Sequence, residues 1–461
     1  MVGFLLDGRV RGPGSHALVD DVARGLAGDG LQTHRIELFP SPNGARRISH
    51  SIHRSDDWVR RDAPRTPEPA PAAWLDVEPS ADCMGLLAGD VCRAVESEGI
   101  EFLHAVGLGL AGRVACLVHE RTGLPYCVTP RWADFGAGDG DRDEIGVVLR
   151  EARHVVLFDE DMRRCVEAAF SGRAGESPLR LRLLRRGVDL EAFKPLPRPE
   201  RRSAAARLAE RLELGSRLQG IEWERACVVV CVQHDGDTDG FEQLLFALPE
   251  VLQQQPRLVA LVAAVAEPAP AVDQLRAALA ARSAEMLYAV LQANELYQPL
   301  LDHLALLQAE GRTQTWWAHA ARLEPERRVR FLGDVARGEF ATLLALADFV
   351  VLPGVDPRRS GHVAFEALAG GVLPLVREST AAAAVARLIA DEISAEIASL
   401  CVLRAETPAV REIETKLGRL VRLRPELGER LRALAVRKFD GRQTAADLRR
   451  LYGERAVTAR V

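Results

Sequence analysis

The segment "RVRFLGDVARGEFATLLALADFVVLPGVDPRRSGHVAFEALAGGVLPLV" (residues 328–376) alternates short apolar runs with helical patterns. "RVRFLG", "DFVVLP" and "VLPLV" read as strands, and "EFATLLALA" and the run opening at Gly361 read as the helices between them. Strands and helices that alternate in this way build a parallel sheet covered by helices. Pro353 stops the second strand, Ser360 is placed to cap the helix that follows, and Gly361 allows a ligand close to the backbone. The first N–H groups of that helix lack intrahelical partners and lie at its positive end, which suits phosphate. Glu366, about a turn and a half further on, repels phosphate but accepts hydrogen bonds from neutral hydroxyls such as those of a ribose. The other reading of Glu366 is a surface carboxylate carried on the helix.

The same alternation extends in both directions. "VGFLLD", a glycine-containing loop with Gly14, the helical "HALVDDVARGLAGDG" and "LQTHRIELF" form an opening βαβ pattern. Residues 40–80, with paired arginines and the Pro- and Ala-rich "APRTPEPAPAAW", read as a surface insertion without regular structure. Helix and strand alternate again up to "HVVLFD", until "RLLRRGVDLEAFKPLPRPERR" (182–202) interrupts them with three prolines in a charged stretch. A domain boundary is placed there. The second alternation starts at "ACVVVCV" (226–232), includes a long helical region from 270 to about 322, and contains the segment quoted first. The expected division is an N-terminal domain over 1–195, a C-terminal domain over 196–435, and a terminal helix over 436–461 that crosses back to the first domain. Two doubly wound α/β domains facing a cleft are the expected fold, because ligands of open α/β sheets sit beyond the carboxyl ends of the strands.

Composition narrows the function. The 461 residues are 48% hydrophobic and 27% charged, with a formal net charge of −5, which argues against bulk nucleic-acid binding. No apolar run reaches the length of a membrane span, and the N-terminus lacks the charged and apolar regions of a signal peptide, so a cytoplasmic location is expected. Eight scattered cysteines without a C-x-x-C pair read as buried thiols, not as disulfide or zinc ligands. "DGDTDG" (235–240) has the first half of a calcium-loop spacing but Phe246 at the twelfth position, and is read as a solvated acidic turn with no metal. "GARRISHSIHRSDDWVRR" (44–61) joins arginines to Ile and Trp and is read as a solvated loop, with peripheral contact to an anionic membrane as the alternative.

Several of these segments carry a resemblance. "GPGSHALVDDVARGLAGDG" is similar to the glycine loop and first helix of the retaining family 4 of GT-B glycosyltransferases, and "LLRRGVDLEAFKP" to that family's hinge signature. "RVRFLGDVARGEFATLLALADFVVLPG" and "FDGRQTAADLRRLY" resemble its second-domain run and its closing helices. The resemblance implies two Rossmann-like domains and transfer of a sugar from a nucleotide-diphosphate donor, with the anomeric configuration retained. It also implies no metal and no resident cofactor. In the family's E-x7-E pair, the second Glu holds the nucleotide ribose and corresponds to Glu366. Gly361 corresponds to the glycine between, with the amides of Gly361, His362 and Val363 toward the diphosphate.

The donor site departs from the family pattern. Its first Glu falls on Arg358, and its Arg and Lys-Gly fall on His234, Asp239 and Gly240, so that only the glycine remains. Arg131 of "TPRW" stands where many members have a His serving the reaction centre, and "REST" replaces a Gly-Gly loop. Removing one preorganised donor aimed at developing charge costs about 3 to 4 kcal/mol. Arg358 and Arg359 are the candidates to compensate, since a guanidinium binds phosphate bidentately. The expected donor-binding set is Gly14, His234, Asp239, Gly240, Arg358, Gly361, His362, Val363 and Glu366. No catalytic residue is assigned. Two functions stay open: a transferase acting on an acceptor that is not identified, or a catalytically silent module that partners another glycosyltransferase.

Overall fold

The computed structural model describes all residues except 8–16, 29, 41–45, 55–56, 61–79, 136–141, 171–177, 213–216, 234–239, 265–269, 334, 336, 354–360, 379–382, 405–407 and 454–461. The chain divides into two compact units. One holds the N-terminal strand, Leu18–Gly187 and the chain from Phe439 onward; the other holds Val188–Lys438.

In the first unit the elements run β1 (Val2–Asp7), α1 (Ala17–Gly28), β2 (Thr33–Pro40), β3 (Arg46–Arg54), β4 (Asp57–Arg60), α2 (Ala81–Glu98) and β5 (Phe102–Val106). They continue with α3 (Leu110–Thr122), β6 (Tyr126–Thr129), α4 (Arg142–Glu151), β7 (His154–Leu157), α5 (Glu160–Phe170) and β8 (Leu181–Leu183). The sheet order is β4-β3-β2-β1-β5-β6-β7-β8. Side chains alternate between two cores, as the pleat requires. Val2, Phe4, Leu6, Phe102 and Val106 face α1, whereas Leu5, Leu103 and Ala105 face α2 and α3. Both faces are therefore covered, and the sheet is doubly wound.

Two features correct the sequence reading. Part of the expected irregular insertion is an antiparallel hairpin: β3 pairs with β2 from His34↔Ile52 to Pro40↔Arg46, and β4 pairs with β3. The segment read as breaking the pattern begins with β8, a three-residue edge strand paired to β7 from Val155↔Leu181 to Leu157↔Leu183. β3 and β4 are rich in Arg, His and Ser, and β8 is only three residues long, so neither segment shows a long apolar run.

The second unit runs α6 (Arg201–Arg211), β9 (Cys227–Gln233), α7 (Phe241–Gln254) and β10 (Leu258–Ala264). The helical region is α8 (Pro270–Ala280), α9 (Ala284–Gln292), α10 (Gln298–Ala309), α11 (Thr313–Ala320) and the short α12 (Pro325–Arg328). Then come β11 (Val329–Gly333), α13 (Arg337–Leu346), β12 (Phe349–Leu352), α14 (Gly361–Ala369), β13 (Leu373–Arg377), α15 (Ala383–Glu392), α16 (Ala395–Cys401), β14 (Val402–Leu403) and α17 (Ala409–Lys438). The order is β11-β10-β9-β12-β13-β14, and every pairing is parallel. The last helix, α18 (Gly441–Gly453), belongs to the first unit, where Ala445, Leu448 and Leu451 join the core beside α1.

Each sheet has a buried polar anchor. His104 of β5 is 1% exposed, with Nδ1 2.7 Å from the Tyr452 hydroxyl on α18 and Nε2 2.8 Å from Thr129 Oγ1. Burial pushes this imidazole down to about 3, so it is neutral in the folded protein. In the second unit Asp348 precedes β12 and is 1% exposed; one carboxylate oxygen accepts from Val228 N at 2.8 Å, and the other from Arg201 Nη2 at 2.8 Å. Arg201 is equally buried and also donates to Ala347 O at 3.1 Å, which ties α6 to the sheet.

Candidate functional site

The topology of the second sheet directs attention to one place. From β9 the chain lays down β10 and β11 on one side, and β12, β13 and β14 on the other. The switch point therefore lies between β9 and β12, the place where open α/β sheets hold ligands, beyond the carboxyl ends of their strands. Residues 234–239 and 354–360 form most of those two loops and lie outside the described residues. His234, Asp239, Arg358, Arg359, Ser360 and nearly all of the acidic "DGDTDG" turn fall there, and Gly14 also lies outside the described residues.

Gly240 is described, and its role is conformational. It caps α7 with φ 82°, a left-handed backbone that favours glycine. A Cβ there would lie 2.7 Å from Pro353 Cγ and 3.0 Å from the Pro353 carbonyl carbon. The start of α7 thus rests directly on the end of β12, and the switch point closes on a contact only glycine permits.

Helix α14 starts beyond the β12 loop. Val363, Ala364, Ala367, Leu368 and Ala369 are fully buried, and Glu366 is 2% exposed. The surface-carboxylate reading of Glu366 is thereby overturned: α14 packs against β12, β13, α15 and α17, leaving this side chain inside. Glu366 is thus a buried carboxylate on the helix that opens at the switch point. His362 is half-buried, and its amide, with those of Gly361 and Val363, belongs to the first turn of the helix.

The far end of α14 is held by a residue that the sequence reading passed over. Arg432 of α17 donates to Ala369 O at 2.8 Å, and also to Phe193 O at 2.7 Å and Leu190 O at 2.8 Å. One guanidinium thus fastens the helix's negative end to the "GVDLEAFKP" segment. Burial holds the Arg432 pKa below its ordinary value. Glu242, 3% exposed in the first turn of α7, was also missed; burial, and after it the Glu242 charge, raises the Tyr297 phenol. Only the position of Glu242 two residues after the capping Gly240 could have flagged it.

In the first unit, Arg131 follows the carboxyl end of β6. Asp134 Oδ2 accepts from the backbone N–H of Arg131 at 2.7 Å and of Leu108 at 2.9 Å, and Asp134 Oδ1 lies 3.6 Å from the Arg131 guanidinium. That guanidinium lies across Gly107, whose φ is 105°, so closely that a Cβ would come within 2.8 Å of its Nε. Arg131 is thus a fixed cation at the carboxyl edge of its own sheet.

No family model matches the chain, and no curated protein matches it significantly. Solved structures do. Over 98% of both chains it superposes on sucrose-phosphate synthase from Thermosynechococcus elongatus, with a TM-score of 0.59 and 15% identity. HepE of Anabaena in complex with UDP and glucose gives 0.57 at 14% identity, covering 98% of this chain and 99% of that one. The catalytic domain of starch synthase IV from Arabidopsis thaliana, bound to ADP and acarbose, gives 0.57 at 11%, covering 98% of each. The fold is GT-B. At such identities the likeness carries the two Rossmann-like units and no activity. Among the described residues no group of three or more His, Cys, Asp and Glu side chains could hold a metal ion, and no helix is long and apolar enough to cross a membrane.

Proposed function

We propose that the chain is a glycosyltransferase of the retaining family 4 type, moving a sugar from a nucleoside diphosphate to an acceptor. The observation that carries this reading is the buried Glu366 on α14, the helix that opens at the β9/β12 switch point. In this reading Glu366 accepts the ribose hydroxyls, while the first-turn amides of Gly361, His362 and Val363 meet the diphosphate. The leaving diphosphate is steadied by the helix end and assists attack on the same face of the sugar. That route calls for no protein nucleophile, metal or resident cofactor. HepE with UDP and starch synthase IV with ADP are structural neighbours that hold nucleoside diphosphates, which supports the same donor class here. The reading places the protein in the cytoplasm.

Calorimetry with UDP, ADP and GDP, alongside a donor-hydrolysis assay, tests it. Glu366→Gln keeps the side-chain volume and removes the charge. It should weaken nucleotide binding by about 1 to 3 kcal/mol with little change in the melting curve, through loss of charge-assisted hydrogen bonds. Unaltered affinity in a folded Glu366→Gln protein would show that the carboxylate serves the scaffold alone. Nucleotide binding without turnover of any donor would instead favour the silent module, the reading to which the replacements at His234, Asp239 and Arg358 point.

A further inference from the structure

The C-terminal end of α14 is closed first by its own backbone. Glu366 O accepts from Gly370 N at 3.0 Å, Ala367 O from Val372 N at 2.8 Å and Leu368 O from Gly371 N at 3.0 Å, with Gly371 in the left-handed region at φ 68°. Ala369 O, on the last residue of the helix, then accepts from Arg432 Nη1 at 2.8 Å. Capping the helix uses only that bond. The same guanidinium goes on to donate from Nη1 to Phe193 O at 2.7 Å and from Nη2 to Leu190 O at 2.8 Å.

Those two further acceptors belong to one internally braced turn. Asp189 Oδ1 accepts from Glu191 N at 2.9 Å and Ala192 N at 3.0 Å, and Asp189 O accepts from Phe193 N at 2.9 Å. The side chains of Val188, Leu190 and Phe193 are buried. The turn opens at Val188, the first residue of the long span Val188–Lys438 of the second unit, and Arg432 lies close to the end of that span. Close packing removes slack beside the guanidinium. A Cβ on Gly371 would lie 2.9 Å from Gly428 O, one turn before Arg432 on α17, and 3.4 Å from Pro195 Cγ. An axial shift of α14 at this junction carries the turn with it or breaks the bonds. Glu366 is three residues from the clamped end, about 4.5 Å along the helix axis.

We propose that Arg432 is a positioning residue for the nucleotide site: it fixes the axial placement of α14 against the turn over 188–193, so that nucleotide occupancy and the order of that turn are coupled. The inference rests on the nucleotide reading of α14. Such coupling is reciprocal, so the factor by which the clamp strengthens nucleotide binding is the factor by which nucleotide strengthens the clamp. The amides of Glu191, Ala192 and Phe193, hydrogen-bonded within the turn, report on it by their exchange with solvent.

Calorimetry and hydrogen exchange read by mass spectrometry test this on the full chain, with UDP, ADP and GDP as probes. In the unmodified protein, where no variant has to fold, a saturating nucleotide should slow exchange over 188–193 by about fivefold or more. Arg432→Gln should weaken that nucleotide by a similar factor and abolish the slowing. Arg432→Lys, which keeps the charge and three donors, should restore part of both. A merely structural clamp predicts that Arg432→Gln lowers the melting temperature and leaves nucleotide affinity unchanged, and that result overturns the proposal. So does a nucleotide that binds the unmodified chain, and is weakened by Glu366→Gln, without slowing exchange over 188–193; the Glu366 reading then stands alone. Absence of binding by all three nucleotides removes that reading and the coupling together.

Discussion

The two sheets are secured by chemically opposite anchors. In the first unit the anchor is neutral: His104, its charge suppressed by burial, joins β5 to β6 through Thr129 and to the last helix through Tyr452. In the second it is an ion pair: Asp348 and Arg201, each 1% exposed, fasten α6 and the starts of β9 and β12. A neutral anchor resists loss of one hydrogen-bond partner but fails when acid charges it. A buried ion pair breaks badly when either partner is removed. The two units of one chain are thus exposed to different perturbations.

Removing one ion should have the largest effect. Asp348→Ala leaves Arg201 buried without its counter-charge and should destabilise the second unit by about 3 to 5 kcal/mol. Hydrogen exchange read by mass spectrometry should show faster exchange in β9 and β12 with the first sheet little changed; equal loosening of both sheets would dissolve the contrast.

Acid should act in the opposite sense. The folded His104 pKa lies below that of the unfolded chain, so the unfolded state binds the extra proton between about pH 6.5 and 3. The contribution of His104 is complete above about pH 6.5, and falls by about 1.4 kcal/mol for each pH unit below it. Between about pH 6.5 and 4.5, β5 and α18 should lose protection. A His104→Gln variant should flatten that pH dependence; an unchanged slope would move its origin elsewhere.

Tyr452→Phe should have a smaller effect, about 1 to 3 kcal/mol, since it removes one hydroxyl and leaves His104 Nδ1 buried without it. Urea denaturation followed by exchange in α18 would measure it. A loss below about 0.5 kcal/mol would mean that apolar packing of α18, through Ala445, Leu448 and Leu451, holds the helix without the polar contact.

Site and fold were legible to different degrees. Glu366 and Gly361 stood out because a carboxylate and a glycine interrupt an apolar helix locally, but whether Glu366 faced solvent could not be read from its neighbours. Gly240 was kept as a remnant of a phosphate loop, and its visible role is to let Pro353 approach. Arg432 carried no signal among the many arginines of α17, because its three acceptors are 63 to 242 residues away in the chain.

By itself the sequence determined the α/β class, the serial order of most strands and helices, and the helix at Gly361. Each of these follows from local periodicity, a property of neighbouring residues that burial on one or both faces imposes directly. The tertiary structure alone decided which polar side chains are buried and what they meet. His104 finds Tyr452 across 348 positions, Arg201 finds Asp348 across 147, and the hairpin of β3 and β4 gains its place from the edge of β2. Short polar strands and buried charges are stable only beside partners that folding brings to them, so no local pattern announces them.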